Sequence, residues 1–305
     1  MILLTGSNGF IGSNLLRALD FKARLVLRTK LKNIKSNDDK FYISNFSKST
    51  NWDGAFTGIN CIVHLASIAH QNLSKNSANP SVLFEVNTEG TLHFALSAAK
   101  SGVKRFIFVS SIGVNGYSSN LPFTELDVPS PIEPYALSKM KAEEGLLAIS
   151  KKYEMDIVII RPPLVYGSNS PGNFSKLIKL VKLGIPLPFA SVNNKRSFVG
   201  ISNLIDFIIL CTKHPKAKNE IFVISDGDDT SLPLLLNLIS VAIGKKSWLF
   251  PCPGLFLRVL AKFFGKSVEF NKLVCDLQVD ISKARSLLNW NPKYSIKDEL
   301  NKLVV

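Results

Sequence analysis

Tyr135 and Lys139 stand four residues apart in Pro134-Tyr135-Ala136-Leu137-Ser138-Lys139, a spacing that puts both side chains on one face of a helix. A free tyrosine titrates near ~10, too high for a base at neutral pH, but a neighbouring ammonium favours the phenolate. Such a pair can exchange a proton with a hydroxyl or ketone while hydride moves between that carbon and a nicotinamide. Tyr and Lys at this spacing are commonplace alone. Here Ser110-Ser111 precede them by about two dozen residues, closing the apolar run Phe106-Ile107-Phe108-Val109, and Ser111 is placed to hydrogen-bond the same reacting oxygen.

The second constellation lies at the N-terminus. Ile2-Leu3-Leu4 runs into Thr5-Gly6-Ser7-Asn8-Gly9-Phe10-Ile11-Gly12 and then into a helical stretch. A GxxGxxG turn between strand and helix brings backbone N–H groups and a helix dipole to a pyrophosphate. In that role Gly6 makes the tight turn, Gly9 admits the phosphates and Gly12 lets helix and strand pack closely. The second apolar run ends at Leu27-Arg28-Thr29-Lys30 with no acidic residue to bond a ribose 2′-hydroxyl. Arg28 and Lys30 could instead meet a 2′-phosphate, so the charge favours NADP(H) over NAD(H).

The elements that must position these residues alternate. Strands are expected at Ile2–Thr5, Arg24–Leu27, Phe41–Ile43, Cys61–Leu65, Lys104–Val109 and Asp156–Ile160, and helices at Phe10–Leu19, Val82–Lys100 and Pro134–Lys152. This pattern implies an α/β fold: a Rossmann-type doubly wound parallel sheet with helices on both faces. After Arg161, Pro and Gly punctuate shorter elements, with helices near Phe174–Leu183 and Leu232–Ile243. The expected division is a nucleotide-binding domain over residues 1–165 and a smaller, interleaved substrate-binding region over 166–305.

Composition excludes several classes. The 305 residues are 46% hydrophobic and 20% charged, an ordinary globular mix. Cys61, Cys211, Cys252 and Cys275 are scattered, and His64, His70, His93 and His214 have no ligand-like spacing, so no metal is expected. His64, ending a buried strand, is expected to be a satisfied core residue. The chain shows no basic signal-peptide n-region and no run of about twenty apolar residues, so a soluble, cytoplasmic protein is expected. A net charge of +14 is spread without any nucleic-acid-binding signature and suits an anionic small molecule. The stretches Trp248-Leu249-Phe250 and Leu255–Phe264, with Arg258, Lys262 and Lys266 interleaved, offer peripheral membrane contact as one reading. A helix packed over the substrate pocket is the preferred one.

On these motifs the sequence resembles the extended short-chain dehydrogenase/reductase family, the nucleotide-sugar epimerases, dehydratases and ketoreductases. Further marks are His64-Leu65-Ala66, Asn87-Thr88-Glu89-Gly90-Thr91, Arg161-Pro162-Pro163-Leu164-Val165-Tyr166-Gly167, Lys195-Arg196-Ser197-Phe198-Val199 and Asp280-Ile281-Ser282-Lys283-Ala284-Arg285. The resemblance implies Ser111, Tyr135 and Lys139 as the catalytic set, with Ser111 preferred over Ser110 by its spacing to Gly116. It implies Phe10, Ile11, Leu65, Ala66, Asn87 and Pro162 along the cofactor, with Asn173 and Arg196 on the substrate, Arg196 gripping a diphosphate. It also implies a UDP-sugar as partner and a homodimer. Asn115 and Asn45 stand where the family usually has tyrosine and an acidic residue. Ser111–Gly116, Pro186-Leu187-Pro188 and Leu277–Asp280 resemble a bacterial subgroup that reduces UDP-2-acetamido-2,6-dideoxy-hexos-4-ulose to UDP-N-acetylquinovosamine for surface polysaccharide. That 4-ketoreductase is the first functional expectation. A UDP-glucose or UDP-N-acetylglucosamine 4-epimerase with tightly held NAD is the alternative. A catalytically inactive NAD(P)-binding regulator is opposed by the intact Ser111, Tyr135 and Lys139.

Overall fold

The computed structural model describes residues 1–28, 39–68, 80–263 and 265–303. Nine strands are described: β1 (Ile2–Thr5), β2 (Ala23–Leu27), β3 (Asp39–Tyr42), β4 (Cys61–His64), β5 (Arg105–Val109), β6 (Asp156–Arg161), β7 (Leu164–Tyr166), β8 (Phe198–Gly200) and β9 (Glu220–Val223). Helices of the first half are α1 (Phe10–Ala18), α2 (Pro80–Phe84), α3 (Thr91–Lys100) and α4 (Pro134–Lys152). Those of the second are α5 (Asn173–Leu183), α6 (Ile201–Lys213), α7 (Leu232–Ala242), α8 (Gly254–Phe263), α9 (Ser267–Val274), α10 (Ser282–Leu288) and α11 (Ile296–Asn301).

Seven strands form one sheet in the order β3-β2-β1-β4-β5-β6-β9, every neighbouring pair parallel. The order reverses between β1 and β4, which opens the ligand crevice at the carboxyl ends of those strands. Strand residues alternate between two cores. Leu3, Ile62, Phe106, Phe108, Ile157 and Ile159 pack with Phe94, Ala98, Ala142 and Leu146 of α3 and α4. Leu4, Val63, Ile107, Val158 and Ile160 pack with Leu15, Leu204 and Ile208 of α1 and α6. Burial on both faces is why these strands read as unbroken apolar runs.

Two differences from the sequence expectation have local causes. The helix expected over Val82–Lys100 is interrupted by a π-helical turn, Glu85–Gly90, between α2 and α3. Asn87 and Thr88 of that turn point inward and bond Ser138 of α4, and π-turns recur where side chains must be re-aimed at functional sites. The strands β7, β8 and β9 lie outside the six expected; their three or four residues each carry too little pattern to separate strand from loop.

The chain beyond Tyr166 therefore serves two places. β9, α6 and α10 complete the sheet's flank, while α5, α7 and α11 enclose a separate core of Tyr166, Phe174, Leu177, Phe198, Leu235, Leu236 and Ile239. No helix among the described residues is long and apolar enough to cross a membrane.

Candidate active site

The glycine turn folds as its spacing requires. Gly6 has φ +70°, and a Cβ there would lie 2.8 Å from the Ala66 nitrogen. At Gly12 a Cβ would lie 2.1 Å from the Gly6 carbonyl oxygen. The turn can thus press against β4 and α1 only without side chains. Gly9 is the N-cap of α1 without a side-chain cap, so the first-turn N–H groups stay available for an anion. The Ser7 hydroxyl in this turn is buried with no hydrogen-bond partner among the described residues. Bare backbone, helix N-terminus and orphan hydroxyl together fit a dinucleotide pyrophosphate.

Thr5 fastens this turn to β4. Its hydroxyl is 2.8 Å from His64 Nδ1 and accepts the backbone N–H groups of Leu65 and Ala66 at 3.2 and 3.1 Å. His64 Nε2 meets the Thr91 hydroxyl at 2.9 Å. Burial, then the Lys139 charge, holds the imidazole well below its ordinary value, so His64 is a neutral core residue.

The catalytic candidates converge from β5 and α4. Ser110 and Ile112 donate their backbone N–H groups to the carbonyls of Ile160 and Pro162 at 2.7 and 2.9 Å, which holds Ser111 beside β6. The Ser111 hydroxyl accepts the Gly113 N–H at 3.1 Å, leaving its own hydrogen for a ligand oxygen. Pro134 starts α4, fitting a first-turn position that needs no N–H. Tyr135, Lys139 and Glu143 then follow at i, i+4 and i+8 on one face. Lys139 is buried; its Nζ donates to the Val109 carbonyl oxygen at 3.0 Å and lies 4.5 Å from the Phe108 ring centroid and 5.9 Å from that of Tyr135.

The electrostatics refine the expectation for Tyr135. Burial pushes the Lys139 ammonium down to about 7, with the Glu143 carboxylate opposing. Burial also raises Tyr135, and a hydrogen bond from Ser67 opposes that rise. The protein's own groups therefore keep the phenol protonated. The nicotinamide of a dinucleotide whose pyrophosphate the glycine turn holds would supply the hydride chemistry and, when oxidised, a positive charge that favours phenolate.

Gly6, Gly9, Phe10, Ile11, Gly12, Leu65, Ser111, Tyr135, Asn173 and Arg196 all line one cleft of about 670 Å³. A smaller pocket of about 160 Å³ adjoins it, where Lys139 and Pro162 join Ile11, Leu65, Ser111 and Tyr135, which line both. Arg196 is held by paired backbone bonds with Thr230 at 3.0 and 2.9 Å, and its guanidinium donates to the Cys275 carbonyl oxygen at 2.7 Å. No carboxylate of the described residues pairs with it at salt-bridge distance, so a half-buried cation is presented to the cleft.

Other expected residues stand behind or beside the wall. Asn87 is fully buried, accepts the Ile68 N–H at 2.8 Å and donates to the Ile68 carbonyl and the Ser138 hydroxyl at 3.0 and 3.2 Å. Ala66 takes part through its N–H to Thr5. Arg28 is exposed just past β2, and Lys30 lies outside the described residues.

With the crevice, the glycine turn and the Ser-Tyr-Lys set in place, the comparisons with known proteins decide the family. The model of the NAD-dependent epimerase/dehydratase family matches residues 2–225. The chain belongs to that family. It is an enzyme of the extended short-chain dehydrogenase/reductase type. A UDP-glucose 4-epimerase of Vibrio cholerae is 41% identical over 303 residues, covering 97% of this chain and 92% of that protein. An N-acetyl-α-D-glucosaminyl-diphospho-ditrans,octacis-undecaprenol 4-epimerase of Escherichia coli O157:H7 is 28% identical, covering 93% and 88%. The UDP-glucose 4-epimerase of Thermotoga maritima, solved with UDP-glucose, has the same fold at TM-score 0.78 and 23% identity, covering 99% of this chain and 96% of that one. So has the UDP-glucuronic acid 4-epimerase of Bacillus cereus, solved with NAD, at TM-score 0.78 and 22% identity, covering 99% and 94%.

This epimerase/dehydratase-family chain also uses residues that sequence reasoning missed. Ser67, Lys176 and Lys272 line the cleft. Ser67 follows the carboxyl end of β4, a signal that could have marked it; Lys272, on α9, carried none. Lys272 pairs with Glu133, the residue before Pro134, and so ties α9 to the start of the Tyr135 helix. Under Lys139, Glu143 accepts from Arg161 at 2.5–3.1 Å, and Arg161 also donates to Asn115 Oδ1 at 3.0 Å. Asn115 Nδ2 donates to the Thr124 carbonyl at 2.8 Å. Asn115, in the place usual for tyrosine, is thus a buried strut.

Proposed function

We propose that the protein interconverts C4 epimers of a UDP-linked hexose with tightly held NAD, removing hydride from C4 and returning it to the opposite face. The observation that carries this is the single cleft running from the Gly6–Gly12 turn past Ser111 and Tyr135 to Asn173 and Arg196. A dinucleotide fits one end and a diphosphate-linked sugar the other, with the reacting carbon between them. The 41% identity to the Vibrio cholerae 4-epimerase supports epimerisation over the ketoreductase that the subgroup resemblance put first. Tyr135 takes the C4 hydroxyl proton as hydride departs and gives it back on return. Ser111 orients that oxygen through a hydrogen bond, and Arg196 neutralises the diphosphate. In this reading residues 1–165 carry the cofactor, the later region covers the sugar, and the enzyme works as a homodimer.

The second reading is a 4-ketoreductase using exchangeable NADPH. It is favoured by Arg28, exposed just past β2, where the sequence Arg28-Thr29-Lys30 carries no acidic residue for a ribose hydroxyl.

Purified protein is denatured to measure released NAD, and the native protein is incubated with UDP-glucose and UDP-N-acetylglucosamine. Copurified NAD with C4 interconversion, reduced about 10³-fold in Tyr135→Phe, is the expected result. NADPH consumption with UDP-2-acetamido-2,6-dideoxy-hexos-4-ulose and no interconversion gives the ketoreductase. Neither activity rejects both substrates.

A further inference from the structure

Helix α8 faces the opposite way from α5. In α5 the apolar Phe174, Leu177 and Val181 are buried and Lys179 and Lys182 are exposed. In α8 Leu257 is buried, whereas Leu255, Phe256, Val259 and Phe263 are 76, 59, 60 and 83% exposed. At 3.6 residues per turn these four share an arc roughly 100° wide. Arg258 and Lys262, both exposed, lie along one edge of it. The segment just before α8 adds Trp248 and Phe250, 62 and 43% exposed. Scattered exposed apolar residues are normal on a protein; four large ones sharing one helical arc, with two more in the segment before it, are a concentration of the kind that marks an interaction surface.

Charge selects the partner. Between Asp229 and Glu269 the sequence contains no carboxylate but five cations, Lys245, Lys246, Arg258, Lys262 and Lys266. Apolar and aromatic side chains flanked by cations, on a helix of little net acidity, match the boundary between phosphate headgroups and acyl chains. A second copy of the chain fits poorly. Symmetric self-association here would set Arg258 and Lys262 against their own copies, whereas interface cores shed charge. Nucleic acid would meet the cations but leave the Leu255–Val259 arc in water.

We propose that α8 and the Trp248–Phe250 segment dock the enzyme on an anionic lipid bilayer. Leu255, Phe256 and Val259 enter the acyl boundary, and Arg258 and Lys262 meet lipid phosphates. α8 packs on α9, which supplies Lys272 and Leu273 to the cleft wall. The docking helix thus adjoins an element of the cleft wall. The proposal stands independently of which sugar the cleft takes.

The test is flotation of the whole protein with phosphatidylglycerol-rich vesicles and with pure phosphatidylcholine vesicles. Fluorescence of Trp248 is followed in parallel; it dominates any shift because Trp52 and Trp290 are buried. Binding to the anionic vesicles, a blue shift and weakening by salt are expected. The pair Leu255→Ser/Val259→Ser and the pair Arg258→Glu/Lys262→Glu should each lower vesicle affinity at least about tenfold, with circular dichroism and thermal midpoint unchanged. No flotation with anionic vesicles overturns the proposal, as does flotation that both double variants retain. Sedimentation showing that the variants dissolve a dimer while flotation persists assigns the surface to self-association instead. Retention on nucleic acid without flotation also overturns it.

Discussion

On its Gly6 side the cleft is walled by a parallel sheet whose strands are buried on both faces, and Lys139, Asn87 and Glu143 around Tyr135 are each fastened by hydrogen bonds. On its Arg196 side the wall joins Leu177 and Leu235 of the smaller core to Arg196, which is itself held by single bridges to Thr230 and Leu277 between stretches of irregular chain. The first wall holds its geometry by packing and a buried polar network. The second holds it by a few backbone bonds at the edge of a smaller core. A reacting centre that must keep Tyr135, Ser111 and a ring in fixed relation sits on the first, and the part that grips a variable substrate sits on the second. Substitutions should therefore damage the fold on the first side and substrate affinity on the second.

Glu143→Gln presses this contrast hardest. Both side chains of the Glu143–Arg161 pair are under 5% exposed, so removing the carboxylate leaves a buried guanidinium uncompensated, at a cost of about 3–5 kcal/mol. Denaturant unfolding should show that loss, and activity should fall because α4 shifts beneath Lys139. A variant with wild-type stability would mean the network is not what makes this wall rigid.

The next effect is a pH slope. Lys139 sits at about 7 in the folded protein against about 10.4 in the unfolded chain. Below pH 7 it is charged in both states and folding carries the whole cost of burying the ammonium. From about 7 up to 10.4 the unfolded chain binds a proton the folded one has shed, so this group makes stability rise with pH. The slope is at most about 1.4 kcal/mol per pH unit. Thermal midpoints of wild type and Lys139→Met, compared across that window, should converge or cross as pH rises. Parallel curves would mean that Lys139 keeps an ordinary pKa.

The same contrast explains what was legible in the sequence. Gly6, Gly9 and Gly12, the apolar runs of β1, β4, β5 and β6, and the i, i+4 pair on α4 are local patterns with local physical causes. They gave the doubly wound sheet and the residues that meet at the crevice. Glu143 was hidden because an acidic residue on a helix is ordinarily a solvated one, and only the approach of Arg161 from β6 shows otherwise. Asn115 could be noticed as unusual, but its bonds to Arg161 and Thr124 depend on three separate segments. Lys272 and Ser67 reach the cleft by tertiary placement alone. In α8 the amphipathic pattern was visible, but not which face the protein keeps: a helix over the pocket and a helix with its apolar arc outward have the same periodicity.

Arg196→Lys tests the second wall and should have the smallest effect. Lysine keeps the charge but loses the planar fork that can hold two diphosphate oxygens at once. It can also no longer donate to the Cys275 carbonyl while reaching into the cleft, because its single nitrogen replaces a guanidinium that does both. The backbone bonds with Thr230 do not involve the side chain and persist, so the thermal midpoint should stay near wild type. KM for the UDP-sugar should rise about tenfold, a loss of about 1.4 kcal/mol, with kcat within about twofold because hydride and proton transfer occur on the other wall. If kcat falls in step with affinity, Arg196 acts at the reacting carbon and the two walls are one mechanical unit. If stability falls as well, the bridges around Arg196 depend on its side chain, and the contrast between a packed wall and a bridged one fails at this position.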